Sequence, residues 1–209
     1  MHLSRLARTV LVTGWTGHRR VHQYRGGHVE SHGGVRINID RNWLDLGGGS
    51  RIGRQPAHCG GAATYDFARY AARAVGSRGA LVRTVQCLLT GKGRYSGAVD
   101  GKYDAGLGTA VRKYRVSRGL AAGAATTVHT WVALLADGTN PALKYGSASI
   151  AVRRVQRALN AADAAGLSVT GVFTAATTTA VKRYQRAHGL SATGVVAAPT
   201  WRALEAGRA

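Results

Sequence analysis

The stretch LVRTVQCLL at residues 81–89 returns as AVRRVQRAL at 151–159, and the same offset of 70 residues then holds without a gap. Val99/Val169, Gly101/Gly171, Thr109/Thr179, Ala110/Ala180, Val111/Val181, Tyr114/Tyr184, Gly119/Gly189, Leu120/Leu190, Thr130/Thr200, Trp131/Trp201 and Leu134/Leu204 all keep register. A unit of roughly 60 residues used twice is a small repeated module, and linking two binding modules raises avidity without any new contact. The repetition therefore points to binding ahead of catalysis.

Each copy reads as three helices. In the first, Val82, Val85 and Leu89 share one helical face, a glycine-rich turn follows, and Leu107, Val111 and Tyr114 form a second apolar stripe. A short third helix is expected at 128–136, with Thr127 or Thr130 capping its start. Gly119 and Gly189 stand where the second helix of each copy should end in a left-handed residue, and Pro199 falls in a first turn, where its missing N–H costs nothing. Trp131 and Trp201 hold equivalent places and are expected to close the cores of their modules; stacking on a sugar is the competing role. The expected fold is mainly α, with modules at 76–138 and 146–208.

The run from Val85 to Leu135 resembles the bacterial peptidoglycan-binding domain, a three-helix module appended to many cell-wall hydrolases. Gln86 with Leu89, the loop VDGKY at 99–103, Thr109-Ala110-Val111, Tyr114, Gly119-Leu120, Thr130-Trp131 and Leu134 carry the resemblance. In the second copy it rests on Gln156, Gly171, Phe173, Thr179-Ala180-Val181, Tyr184-Gln185, Gly189-Leu190, Gly194 and Thr200-Trp201. There are departures: the loop aspartate of the family, Asp100, is Thr170 in the second copy, its next glycine is Asp104 and Thr174, and Arg115 replaces its usual Gln. The resemblance implies noncatalytic attachment to peptidoglycan. That polymer offers amides, hydroxyls and carboxylates, which suit Arg, backbone N–H groups at helix starts and the amphipathic ring of Tyr. Asp100, Gly101, Tyr103, Thr109 and Arg112 are the ligand candidates in the first copy, and Gly171, Phe173, Thr179 and Lys182 in the second. Gly101 has the competing role of a turn needing positive φ, and Tyr103 and Phe173 that of core plugs.

Residues 1–46 read as strands and loops, and 47–75 as a flexible linker with a short helix at 62–75. The segment HQYRGGHVESHGGVRINIDRNWLDL, 22–46, resembles the closing strand of a lysozyme family 25-like glycoside-hydrolase barrel, a fold that often precedes such repeats. Glycoside hydrolysis needs two facing carboxyl groups. Asp40, placed by the resemblance at the C-terminal end of a strand, is the one catalytic candidate; nothing sets Glu30 or Asp45 opposite it, and about 40 residues fall far short of a whole barrel. No competent hydrolase site is expected in this chain, and the rival reading is the C-terminal part of a truncated wall hydrolase. His28, Glu30 and His32 alternate on one strand face, but without the spacing of a known metal motif they read as a solvated loop, and no metal or cofactor is expected.

Lys and Arg number 29 against 9 acidic residues, a formal charge of +20, so an anionic partner is expected. Peptidoglycan and anionic wall polymers fit that charge, whereas nucleic acid lacks supporting motifs beyond it. The apolar stretch at 10–12 is too short for a signal peptide, and no membrane span is seen. Cys59 and Cys87 are the two cysteines. Cys87 has no counterpart in the second copy, where Arg157 takes its place, so a Cys59–Cys87 disulfide is expected against the alternative of two free thiols. The bridge would go with an extracytoplasmic, wall-associated or secreted location.

Overall fold

The computed structural model describes residues 58–209 in full and the backbone of 20–32 and 35–45. The chain divides into two compact units, Met1–Arg51 and Ile52–Ala209.

In the second unit the duplication becomes geometry. Helices α1 (Ala80–Gly91), α2 (Ala105–Ser117) and α3 (Val128–Ala136) are followed by α4 (Ile150–Asp163), α5 (Ala175–Ala187) and α6 (Ala198–Glu205), each start displaced by 70 residues from its counterpart. The ends follow from local chemistry. Asp104 Oδ1 accepts from Leu107 N at 2.7 Å to open α2, and Thr174 Oγ1 accepts from Thr177 N at the matching place in α5. Thr127 and Thr130 form a capping box at the start of α3, so both expected residues take part. Gly119 (φ 70°) and Gly189 (φ 66°) end α2 and α5 in the left-handed region, and Pro199 lies in the first turn of α6.

The apolar stripes meet in one continuous core in which Val82, Val85, Leu89, Leu107, Val111, Tyr114, Trp131 and Leu134 are buried, as are all their equivalents in the second copy. Trp131 and Trp201 are both 0% exposed, so they close cores. Their indole N–H groups donate to Ala71 O at 3.0 Å and Pro141 O at 2.8 Å, which satisfies the one polar atom of each buried ring. Each module therefore begins before its first helix. The backbone bridges Arg73–Thr126 and Leu143–Val196 are equivalent, as are Arg78–Lys102 and Ala148–Val172. The helix expected over 62–75 is absent: the stretch is irregular and lies against the helices that follow, with Tyr70 buried beside Trp131.

Residues 58–66 form a strap across α1. Cys59 and Cys87 are joined, with Cα atoms 5.9 Å apart, and the Thr84 hydroxyl donates to Thr64 O. The two modules pack through α3 and α4. Arg154 of α4 donates to Ala136 O, at the C-terminus of α3, and lies over the Trp201 ring at 4.7 Å. A cation at the carbonyl end of a helix is favourable for the helix dipole as well as for the hydrogen bond.

In the first unit β1 (Arg20–His32) and β2 (Val35–Asp45) pair antiparallel, with a register shift between Tyr24 and His28. Strands of a (β/α) barrel pair parallel, so this hairpin carries none of that architecture. Asp40 lies inside β2, between Ile39 opposite His28 and Arg41 opposite Tyr24, and not at a strand end. The side chains of Asp40, His28, Glu30 and His32 lie outside the described residues, as does the stretch at 10–12.

Candidate functional site

The loop before the second helix of each module is organised by one buried glutamine. Gln86 Oε1 accepts from Gly101 N at 2.8 Å while its Nε2 donates to Lys102 O at 3.0 Å and Asp100 Oδ1 at 2.9 Å. Gln156 repeats the pattern with Gly171 N and Val172 O at 2.9 and 3.0 Å. A carboxamide can donate and accept at once, which is why Gln suits a position facing a backbone N–H and a carbonyl. Gly101 and Gly171 are buried and both sit at φ 79°, a conformation that disfavours a side chain.

The differences between the two copies become intelligible here. Asp100 Oδ1 accepts from Lys102 N at 2.9 Å, and Thr170 Oγ1 accepts from Val172 N at 3.1 Å, so threonine keeps the turn that aspartate makes. The hydrogen bond from Gln86, then that from Lys102 N, holds the Asp100 carboxyl below the usual range. Arg115 takes over the donor half of what Gln185 does. Its Nη1 donates to Ala125 O and Thr130 Oγ1, and Gln185 Nε2 donates to the equivalent Val195 O and Thr200 Oγ1. Asp104 and Thr174 are the helix caps already described, a role that the usual N-cap preference could have suggested from sequence.

The structure sorts the ligand candidates. Gly101, Tyr103, Gly171 and Phe173 are buried, and the Tyr103 hydroxyl is used on Ala124 O at 2.6 Å. Asp100 is exposed, with Oδ1 committed to the loop. Thr109 and Arg112 are exposed one turn apart on α2, while on α5 Thr179 is exposed and Lys182 half-buried. Those four project from the second helix of each module, beside the loop and not inside it. None of the nine lines the concavity walled by Lys92, Arg94, Tyr114, Ser117, Arg118 and Asp137. No sequence signal marked that group, because Tyr184 alone among its equivalents is kept in the second copy.

Among the described residues no helix is long and apolar enough to cross a membrane, and no three His, Cys, Asp or Glu side chains are grouped to hold a metal ion. Residues 149–204 match the family model described as "Putative peptidoglycan binding domain". No curated protein matches the chain. The matched segment runs from the cap of α4 through α6, so it coincides with the second module.

Proposed function

We propose that the chain attaches without catalysis to bacterial cell-wall peptidoglycan through two tandem modules. The observation that carries this reading is the family match over 149–204 together with the first module's repetition of the matched module's glutamine clamp. The Gln86 and Gln156 clamps, the tryptophan N–H bonds to Ala71 and Pro141 and the paired backbone bridges are the same interactions 70 residues apart. Asp100, Thr109 and Arg112 of the first module, with Thr179 and Lys182 of the second, are proposed to present the polar contacts. Gly101, Tyr103, Gly171 and Phe173 shape the loops behind them. The Cys59–Cys87 disulfide supports an extracytoplasmic location, since such bonds persist in oxidising compartments. The charge of +20 adds attraction to the carboxylates and phosphates of the wall. The enzyme reading gains nothing from the antiparallel pairing of β1 and β2.

The full chain should sediment with purified sacculi and remain in solution without them. No retention overturns the proposal, and retention matched on DNA-cellulose at two salt concentrations assigns the binding to charge alone. The sacculus suspension should keep its turbidity; clearing that disappears in Asp40→Asn would restore the hydrolase.

A further inference from the structure

The first module has a feature that the second does not share. Lys92 and Arg94 at the end of α1, Tyr114, Ser117 and Arg118 at the end of α2, and Asp137 after α3 wall a concavity of about 430 Å³. That is within the roughly 300–1,000 Å³ of small-ligand sites, but charged and polar groups line it where most such sites are apolar. Lys92 Nζ stands 2.9 Å from Asp137 Oδ2, and Arg118 pairs with the same oxygen. Arg94 has no acidic partner among the described residues. Lys92 and Arg118 thus share the Asp137 carboxylate, with the charge of Glu205 acting on Arg118 from farther off, and Arg94 is left over for a further anion.

The floor supplies a second, independent sign. Tyr114 is 1% exposed, and its buried hydroxyl faces only the Arg118 guanidinium, itself a donor, so no acceptor takes the hydroxyl's own hydrogen. Leaving such a donor unsatisfied is costly, and native structures rarely do so without a reason. The equivalent Tyr184 is satisfied: its hydroxyl donates to Arg208 O at 3.0 Å. Position for position, the second module replaces Lys92, Arg94, Ser117, Arg118 and Asp137 by Ala162, Ala164, Ala187, His188 and Gly207. The hydroxyl hydrogen without an acceptor and the left-over cation therefore belong to the first module specifically. Ser117 Oγ donates to Tyr114 O at 2.7 Å, so its lone pairs remain for an N–H of the ligand.

We propose that this concavity binds the free carboxylate of a peptidoglycan stem peptide, with Arg94 and the Tyr114 hydroxyl as the groups that receive it and Ser117 accepting from the adjoining amide. The proposal rests on the peptidoglycan reading and refines it by giving the first module a ligand contact that the second lacks. A carboxylate fits because the site already holds one: Asp137 shows that Lys92 and Arg118 accept carboxylate geometry, and a planar guanidinium such as that of Arg94 suits a second.

The test is titration of the full chain with soluble muropeptides released from sacculi, once as free acids and once as methyl esters. The free acids should bind, and esterification should weaken binding at least about tenfold, as expected for loss of a charge-assisted contact. Arg94→Ala should weaken binding of the free acid by about the same factor, whereas Arg202→Ala, which removes an exposed charge of the second module, should leave it unchanged. Tyr114→Phe should weaken binding without lowering the melting temperature, because no acceptor in the protein takes its hydroxyl hydrogen and Arg118 keeps its pair with Asp137. Equal binding of acid and ester, or insensitivity to Arg94→Ala, overturns the proposal while retention on sacculi stands. A glycerol-phosphate polymer that displaces the muropeptide at equal concentration assigns the site to phosphate and overturns it too. Failure of the wild-type chain to sediment with sacculi would remove the peptidoglycan reading itself.

Discussion

Arg157 Nε stands 2.7 Å from a carboxylate oxygen of Asp66, across 91 residues of sequence. Arg157 occupies in α4 the position that Cys87 occupies in α1, so the two copies use one helix position for the same end, holding the strap at 58–66. One does it covalently, the other by an ion pair whose guanidinium is 3% exposed and also lies over the Tyr65 ring. Asp66→Asn keeps the shape and removes the charge. It should cost about 1–2 kcal/mol, less than for a fully buried pair because Asp66 is half open to water. Urea denaturation at neutral pH measures this, and an unchanged midpoint would mean that the pair holds nothing.

The disulfide should contribute more. Closing a loop with a sequence separation of 28 residues corresponds to about 3–4 kcal/mol in the chain-entropy estimate. Comparing the chain with its Cys59→Ser, Cys87→Ser variant in denaturant gives the figure. Thiol titration of the denatured wild type without reductant should find no reactive sulfur.

Trp131→Ala and Trp201→Ala should each lose about 3–5 kcal/mol, the usual cost of emptying such a site. Because α3 and α4 pack together, the melt should remain one transition displaced downward in both variants. Two separated calorimetric peaks would show that the modules unfold independently.

Arg115 offers a conservative exchange. Arg115→Gln installs the residue that the second module uses against the same partners and should cost under about 1 kcal/mol. Arg115→Met, which removes the side-chain donor to the Ala125 carbonyl and to the buried Thr130 hydroxyl, should cost about 1–3 kcal/mol. Equal losses would contradict the equivalence of Arg115 and Gln185.

For Asp137, burial pushes the carboxyl up, but the hydrogen bond from Lys92 and the charges of Lys92 and Arg118 outweigh it, leaving the group below its usual range. A depressed carboxyl stabilises the fold above the pKa of the unfolded chain and loses that contribution as pH falls through the folded value. The stability gap between wild type and Asp137→Asn should therefore be full at neutral pH and shrink below about pH 4. A gap that widens in acid would reverse the sign and refute the assignment.

Much of the second unit could be read from its letters, because the signals there are local and stated twice. Val82, Val85 and Leu89 mark a helix face by spacing alone, and Gly119 and Gly189 mark helix ends because few other residues tolerate their backbone. The strap was harder. Residues 62–75 have helix-forming composition, but Thr64, Tyr65 and Asp66 are held by Thr84, Cys87 and Arg157, contacts between distant segments that override local preference. The disulfide was foreseeable because Cys87 interrupts the repeat. The site was the least visible part. Buried and exposed members of the VDGKY loop look alike as letters, and the Lys92–Asp137 cluster is assembled from the ends of three helices that share no motif.

The connection between the modules is short, and its carbonyls at Ala136 and Thr139 accept from Arg154 of the following helix, while His129 Nδ1 meets Gly207 O at 2.8 Å. The pair is thus built less like two hooks on a string than like the jaws of a caliper set to one opening. On the proposed reading, two sites held at a fixed distance would reward a polymer whose repeat matches that distance and gain nothing from fragments too short to reach both. Selectivity for an intact, crosslinked wall over its shed pieces would then come from the spacing of the jaws, with neither module needing to discriminate alone.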